Sequence, residues 1–177
     1  EADRMLDMGF AGAVQSILAE ARHVSQRLLF SATLEGAAIQ KFSRATLTEP
    51  VYIDAQPPKR ERGKITQWLH IADTLEHKTA MLRHLLNEHP LAVLVFVKTK
   101  ERVIELTQQL RAQHFRVSML HGDMPQHLRN QALEDFTTGK NKVLVATDVA
   151  ARGIDIENVQ LVINFDLPRR ADVFVHR

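Results

Sequence analysis

A chain of 177 residues with 45% hydrophobic composition is long enough for one ordinary domain or parts of two, with a buried core. Its 23 Lys and Arg against 21 Asp and Glu leave a net charge of +2, too small to announce a polyanionic partner unless the cations gather on one surface. The absence of cysteine excludes disulfides and thiolate zinc sites and fits a reducing cytoplasm, and no apolar run approaches the roughly 20 residues of a membrane span. The opening EADRMLDMGF has no signal-peptide build, so neither export nor a membrane is expected.

Met5, Leu6, Met8, Phe10, Val14, Ile17 and Leu18 step mostly by three and four, which predicts a helix interrupted at Gly9 and Gly12. RLLFSAT (27–33) reads as a short buried strand ending in hydroxyls, EGAAIQKFSRATL (35–47) as a helix and PVYIDA (50–55) as another strand. From 56 to 64 periodicity stops, prolines and a glycine appear and charge takes over, which marks a linker. Beyond it the pattern alternates strictly. ITQWLHIA (65–72) is expected as a strand, HKTAMLRHLLNEH (77–89) as a helix stopped by Pro90, LAVLVFVKT (91–99) as a buried strand and KERVIELTQQLRAQ (100–113) as a helix. RVSMLHG (116–122), KVLVATD (142–148) and QLVINFDL (160–167) follow as strands, PQHLRNQALEDFTTG (125–139) as a helix, and DVFVHR (172–177) as the start of one.

Strands rich in Val, Ile and Leu that alternate with helices predict an α/β fold, a parallel sheet covered on both faces in three layers. Ligands of such sheets bind outside the carboxyl ends of the strands, so the residues that follow each strand matter most. Those are SAT (31–33), KTKER (98–102), HGD (121–123), TDVAARGID (147–155) and DLPRR (166–170). The four groups beyond residue 65 are expected along one edge. Thr99 and Thr147 can each donate a hydroxyl hydrogen to phosphate, Gly122 lets backbone approach closely, and Lys98, Arg102, Arg129 and Arg152 supply cationic donors. Asp155, acceptor-only when ionised, suits a sugar hydroxyl. Taken singly, each loop is as easily a helix cap as a ligand contact; together they point to nucleotide or nucleic acid. Phe96 lies inside LVFV and is expected in the core rather than stacked on a base. His121 and His127 have no Cys or carboxylate partner at zinc spacing, so no metal site is expected there.

The order and wording of these segments resemble the DEAD-box family of ATP-dependent RNA helicases along the whole chain. Glu1-Ala2-Asp3 with RMLDMGF is similar to the end of the family's D-E-A-D signature, and Ser31-Ala32-Thr33 to its S-A-T motif. LVFVKTKERV resembles the fourth motif, HGDMPQHLR the element after it, ATDVAARGIDI the fifth and VINFDLP its sequel, while His176-Arg177 resembles the opening of the sixth. RERGKITQWLHIADTLEHKTAMLRHLL is similar to the bacterial SrmB-like branch.

The resemblance implies a RecA-like domain over 65–177, ending within the sixth motif, a linker over 56–64, and over 1–55 the tail of a second RecA-like domain that binds ATP. It implies ATP and Mg²⁺ as cofactors of the complete parent, with no complete metal site in this chain. It assigns Glu1 to the water that attacks the γ-phosphate, and makes Asp3 the partner of Ser31, Thr33 and His176 in coupling nucleotide state to closure. Gly153 and Asp155 would touch ATP and Arg152 would act across the cleft. Lys98, Thr99, Arg102, Gly122, Gln126, Arg129 and Thr147 would hold RNA, chiefly through its sugar-phosphate backbone, and ribosomal RNA or assembly intermediates are the expected targets. A non-enzymatic RNA-binding scaffold and a DNA translocase are the alternatives. The sequence holds no G-x-x-x-x-G-K-[ST] phosphate loop and not the later arginines of the sixth motif, whose kind is worth about 10³ to 10⁵ in rate, or roughly 4 to 7 kcal/mol. The 177-residue polypeptide by itself is therefore expected not to hydrolyse ATP; RNA-stimulated phosphate release from the purified chain contradicts this.

Overall fold

The computed structural model describes residues 1–21, 23–32, 34, 36–55, 65–89, 92–151, 156, 159–168 and 171–175. The chain divides into two compact units, Glu1–Thr66 and Gln67–Arg177. Several expectations fall outside the described residues, among them the linker over 56–64, the stop at Pro90, and the run from Arg152 to Asp155.

The first unit is built on α1 (Ala2–Asp7), α2 (Ala11–Glu20) and α3 (Ala37–Thr46). Gly9, at φ +80°, makes the turn between the first two, a left-handed backbone that a side chain would resist, so the single predicted helix becomes two. Ala2, Ile39 and Phe42 are buried. The Arg27 guanidinium donates to the Thr46 carbonyl at 3.1 Å and so satisfies an acceptor that the end of α3 leaves open. The described parts of the predicted strands at 27–33 and 50–55 are not strands: they run irregularly, with Phe30 75% and Val51 86% exposed. A strand is completed by a neighbour's hydrogen bonds as much as by its own residues, and the described residues of this unit hold no strand to pair with.

The second unit runs α4 (Leu75–Glu88), β1 (Val93–Val97), α5 (Lys100–Ala112), β2 (Val117–Leu120), α6 (Gln126–Thr137), β3 (Val143–Thr147), α7 (Asp148–Ala151), β4 (Leu161–Asn164) and α8 (Ala171–Val175). Thr74 caps α4, accepting from the His77 amide at 3.1 Å. The strands form one sheet in the order β2-β3-β1-β4, every pair parallel. The predicted strand at 65–72 does not join it. Trp68 is 80% and Leu69 82% exposed, so ITQWLHIA, despite its strand-like composition, forms no ladder among the described residues.

Alternation along the strands sorts the core into two layers. Val93, Val95 and Val97 of β1, Val117 of β2, and Val143 and Val145 of β3 pack with Leu82 and Leu86 of α4 and Val103, Leu106 and Leu110 of α5. The intervening Leu94, Phe96, Leu120, Leu144 and Ala146 pack with Phe136 of α6 and Ala150 of α7. Phe96 is thus a core residue, as the reading of LVFV expects. The result is the three-layer α/β/α sandwich, with all five residues of β1 buried. Each full burial of a Val or Leu contributes about 1.5 to 3 kcal/mol.

The winding explains where a ligand can sit. The chain leaves β1 through α5 on one face and travels past β3 to β2; it then reverses, crosses by α6 and α7 on the other face, and reaches β3 and finally β4. A reversal must change faces if every crossover keeps one hand. The adjacent strands β1 and β3 therefore send their connections to opposite faces, which opens a crevice beyond their carboxyl ends. Leu106, 1% exposed, sits beneath this arrangement in α5. Leu106→Ala is expected to lower stability by about 2 to 5 kcal/mol, read from urea unfolding of the whole chain; a loss under 1 kcal/mol contradicts the packing.

Candidate nucleic-acid interface

The register brings the sequence-predicted groups to one edge. Val97 pairs with Thr147, Leu120 with Ala146, and Phe96 with Asn164. Lys98 and Thr99 beyond β1, His121 and Gly122 beyond β2, Thr147 ending β3, and Asp166 beyond β4 consequently lie in a row. The outer strands β2 and β4 are three spacings apart, about 14 Å. Helices α5 and α6 begin at this edge and present their amide-rich N-termini to it.

Thr99 is the N-cap of α5: its hydroxyl oxygen accepts from the Arg102 amide at 3.2 Å. That bond uses an oxygen lone pair and leaves the hydroxyl hydrogen to be donated, so capping and phosphate contact are compatible. The Lys98 side chain is exposed. A Cβ built on Gly122 meets nothing within 4 Å, so no internal packing demands glycine there, and the bare backbone faces open space. Thr147 is half-buried at the end of β3.

Three predicted cations and donors are partly committed elsewhere. The Arg102 guanidinium pairs with Glu105 at 2.8 Å. Gln126 donates to Asn130 one helical turn on, also at 2.8 Å. Arg129 reaches from α6 to the Ala150 carbonyl of α7 at 3.2 Å and leaves its buried Nε without a partner among the described residues. Arg129 thus braces α7 besides standing at the edge.

Two ion pairs at the edge were not legible in the sequence. Lys100, the first residue of α5, bonds Asp123, tying the start of that helix to the β2–α6 loop. The hydrogen bond and charge of Lys100 hold the Asp123 carboxyl below the usual aspartate value, and Asp123 raises Lys100 in return. Both groups are open to solvent, so the pair adds little stability. Asp166 splits its oxygens between Lys78 Nζ at 2.9 Å and the Lys98 amide at 3.0 Å. Burial pushes the Asp166 carboxyl up, but the Lys78 and Lys98 hydrogen bonds and the Lys78 and Arg102 charges together hold it below its ordinary value.

In the first unit the Asp3 amide donates to the Ser31 hydroxyl at 3.3 Å, which brings those two predicted residues together. Thr33, Arg152, Gly153, Asp155 and His176 lie outside the described residues. Among the described residues no group of three or more His, Asp or Glu could hold a metal ion.

Residues 77–177 match the helicase conserved C-terminal domain. The chain is 54% identical to the ATP-dependent RNA helicase SrmB of Escherichia coli and 48% identical to SrmB of Haemophilus influenzae, in both cases over its full length and 40% of the relative's. The chain belongs to the DEAD-box helicase family. Within the family it is SrmB-like; identity to DeaD of Klebsiella pneumoniae is 39%, again over the full chain but 27% of that relative. The DEAD-box fold agrees as well. A crystal structure of E. coli SrmB bound to regulator of ribonuclease activity A covers 66% of this chain and is itself 69% covered, at a TM-score of 0.62 and 52% identity. Saccharomyces cerevisiae Dbp5 bound to RNA and ADP BeF3 covers the whole chain, which spans 47% of it, at a TM-score of 0.78 and 31% identity. The parallel sheet is therefore that of a RecA-like DEAD-box domain.

Proposed function

We propose that the chain is the part of an ATP-dependent RNA helicase that holds single-stranded RNA by its sugar-phosphate backbone, and that its parent couples ATP binding and hydrolysis to local duplex unwinding. On this reading residues 65–177 form the C-terminal RecA-like domain, 56–64 the linker, and 1–55 the end of the ATP-binding domain. Glu1 and Asp3, with Ser31, Thr33 and His176, belong to the hydrolytic and coupling machinery, and Arg152, Gly153 and Asp155 to the nucleotide, which enters with Mg²⁺. The SrmB likeness supports ribosome assembly in the cytoplasm as the setting, with ribosomal RNA or its assembly intermediates as the partner.

One observation carries the reading: Thr99, Gly122 and Thr147 lie on a single rim over the crevice between β1 and β3. Hydroxyls, an uncluttered glycine backbone and helix N-termini recognise phosphate without reading bases. A rim of this kind suits any RNA sequence. ATP supplies the free energy for closing the parent's two domains, and closure on a bent strand favours single-stranded over duplex RNA.

With two to three phosphates neutralised, log K should fall with log salt at a slope of about −1.5 to −2, roughly tenfold weaker binding between 50 and 200 mM salt. Thr147→Ala, which removes a hydroxyl donor, and Gly122→Ala, which puts a methyl where the phosphate would approach the backbone, are each expected to weaken binding of a single-stranded oligonucleotide up to about tenfold without lowering the unfolding midpoint. Arg116→Ala removes a cation at the opposite edge of the sheet and is the control. Fluorescence anisotropy on the full chain is the measurement. If Arg116→Ala weakens binding as much as Thr147→Ala does, charge alone holds the RNA and the rim is not the site.

A further inference from the structure

Any carboxylate on a phosphate-binding rim repels its ligand, so each one present needs a reason. Asp123 is neutralised by Lys100 at the start of α5. Asp166 is more deeply engaged. Its amide donates to the Phe96 carbonyl at 3.1 Å, carrying the β1–β4 ladder past the end of β4. Its carboxylate then turns across to β1, with Oδ2 accepting the Lys98 amide at 3.0 Å. Oδ1 accepts Lys78 Nζ at 2.9 Å, and the same ammonium stands 4.3 Å from the centre of the Phe165 ring. Lys78 comes from the first turn of α4, 88 residues away in the chain.

The Lys98 amide is the first donor beyond β1. Held there by Asp166, and one residue later by the Thr99 cap on α5, the Lys98–Thr99 loop is fixed at both ends. We infer that Lys78 and Asp166 form a latch that positions the Lys98–Thr99 loop for the RNA backbone. Neither residue touches RNA; both are positioning residues, Asp166 directly and Lys78 by neutralising and aiming the Asp166 carboxylate. The inference rests on the RNA-binding reading above and adds to it two residues outside the predicted contact set.

The sign of the charge effect makes the test sharp. Removing a carboxylate from an anion-binding rim should tighten RNA binding if Asp166 acts only through charge. The latch requires the opposite. In the full chain, Asp166→Ala is expected to speed hydrogen exchange of the Lys98 amide about tenfold relative to Val95 in β1, and to weaken binding of a single-stranded oligouridylate about three- to tenfold. Lys78→Met should do the same to a smaller extent, and Lys78→Arg, which keeps the charge, should restore both readouts; Lys78→Met also serves if Asp166→Ala fails to fold. Unchanged Lys98 exchange in Asp166→Ala and Lys78→Met overturns the latch itself. Faster exchange with unchanged or tighter RNA binding, while Thr147→Ala still weakens it, overturns the positioning role and leaves the RNA reading standing. Absence of RNA binding by the unsubstituted chain overturns both the RNA reading and the role built on it.

Discussion

Five consecutive residues, Val93 to Val97, have no face to give to water: β1 is buried on both sides, and its backbone groups must be satisfied by the strands flanking it. β3 and β4 fill those places in parallel, because each pair of strands is joined by a connection that returns over the sheet rather than by a tight turn. Parallel pairing aligns the carboxyl ends. The row of Lys98, Thr99, Gly122 and Thr147 follows from that alignment, and every functional statement about the rim rests on it. A shift of β1 by one residue against β3 would exchange the two core layers and bring the wrong residues to the edge.

The rim is stabilised by polar contacts that the sheet makes possible but does not itself supply. Thr99 caps α5, Arg129 braces α7, Lys100 pairs with Asp123, and Asp166, itself held by Lys78, accepts the Lys98 amide. Individually these exposed and half-exposed bonds are weak. Their importance is geometric, since a phosphate-binding loop loses less entropy on binding when its backbone is already held. The net charge of +2 is consistent with this division: cations at the rim are mostly matched by carboxylates, so recognition depends on placement more than on bulk charge.

The second unit was largely legible because its signals are local. Val- and Leu-rich runs of four and five residues, separated by helices of 12 and 13 with a Thr or Pro at the start, predict strands, helices and their order without tertiary knowledge. RLLFSAT, PVYIDA and ITQWLHIA show the limit. Each has strand composition, yet Phe30, Val51 and Trp68 stand exposed, because composition cannot supply a neighbouring strand. The strand exits and the likeness to a known family both pointed to Thr99 and Gly122, and DLPRR marked Asp166 at the edge, but its pairing with Lys78 was hidden. Nothing in α4 or in the segment after β4 indicates a partner 88 residues away; only the fold puts them in contact.

The central claim is that the exits of β1, β2 and β3 form one continuous surface for single-stranded RNA. Titrating the isotopically labelled full chain with a single-stranded oligonucleotide and following backbone amides by NMR tests it directly. The account predicts that the amides of Lys98, Thr99, Gly122 and Thr147 shift together and with a common dissociation constant, while those of Arg116 and Lys142 at the opposite edge stay in place. Shifts centred on Arg116 and Lys142, or rim amides titrating with unrelated affinities, would contradict it.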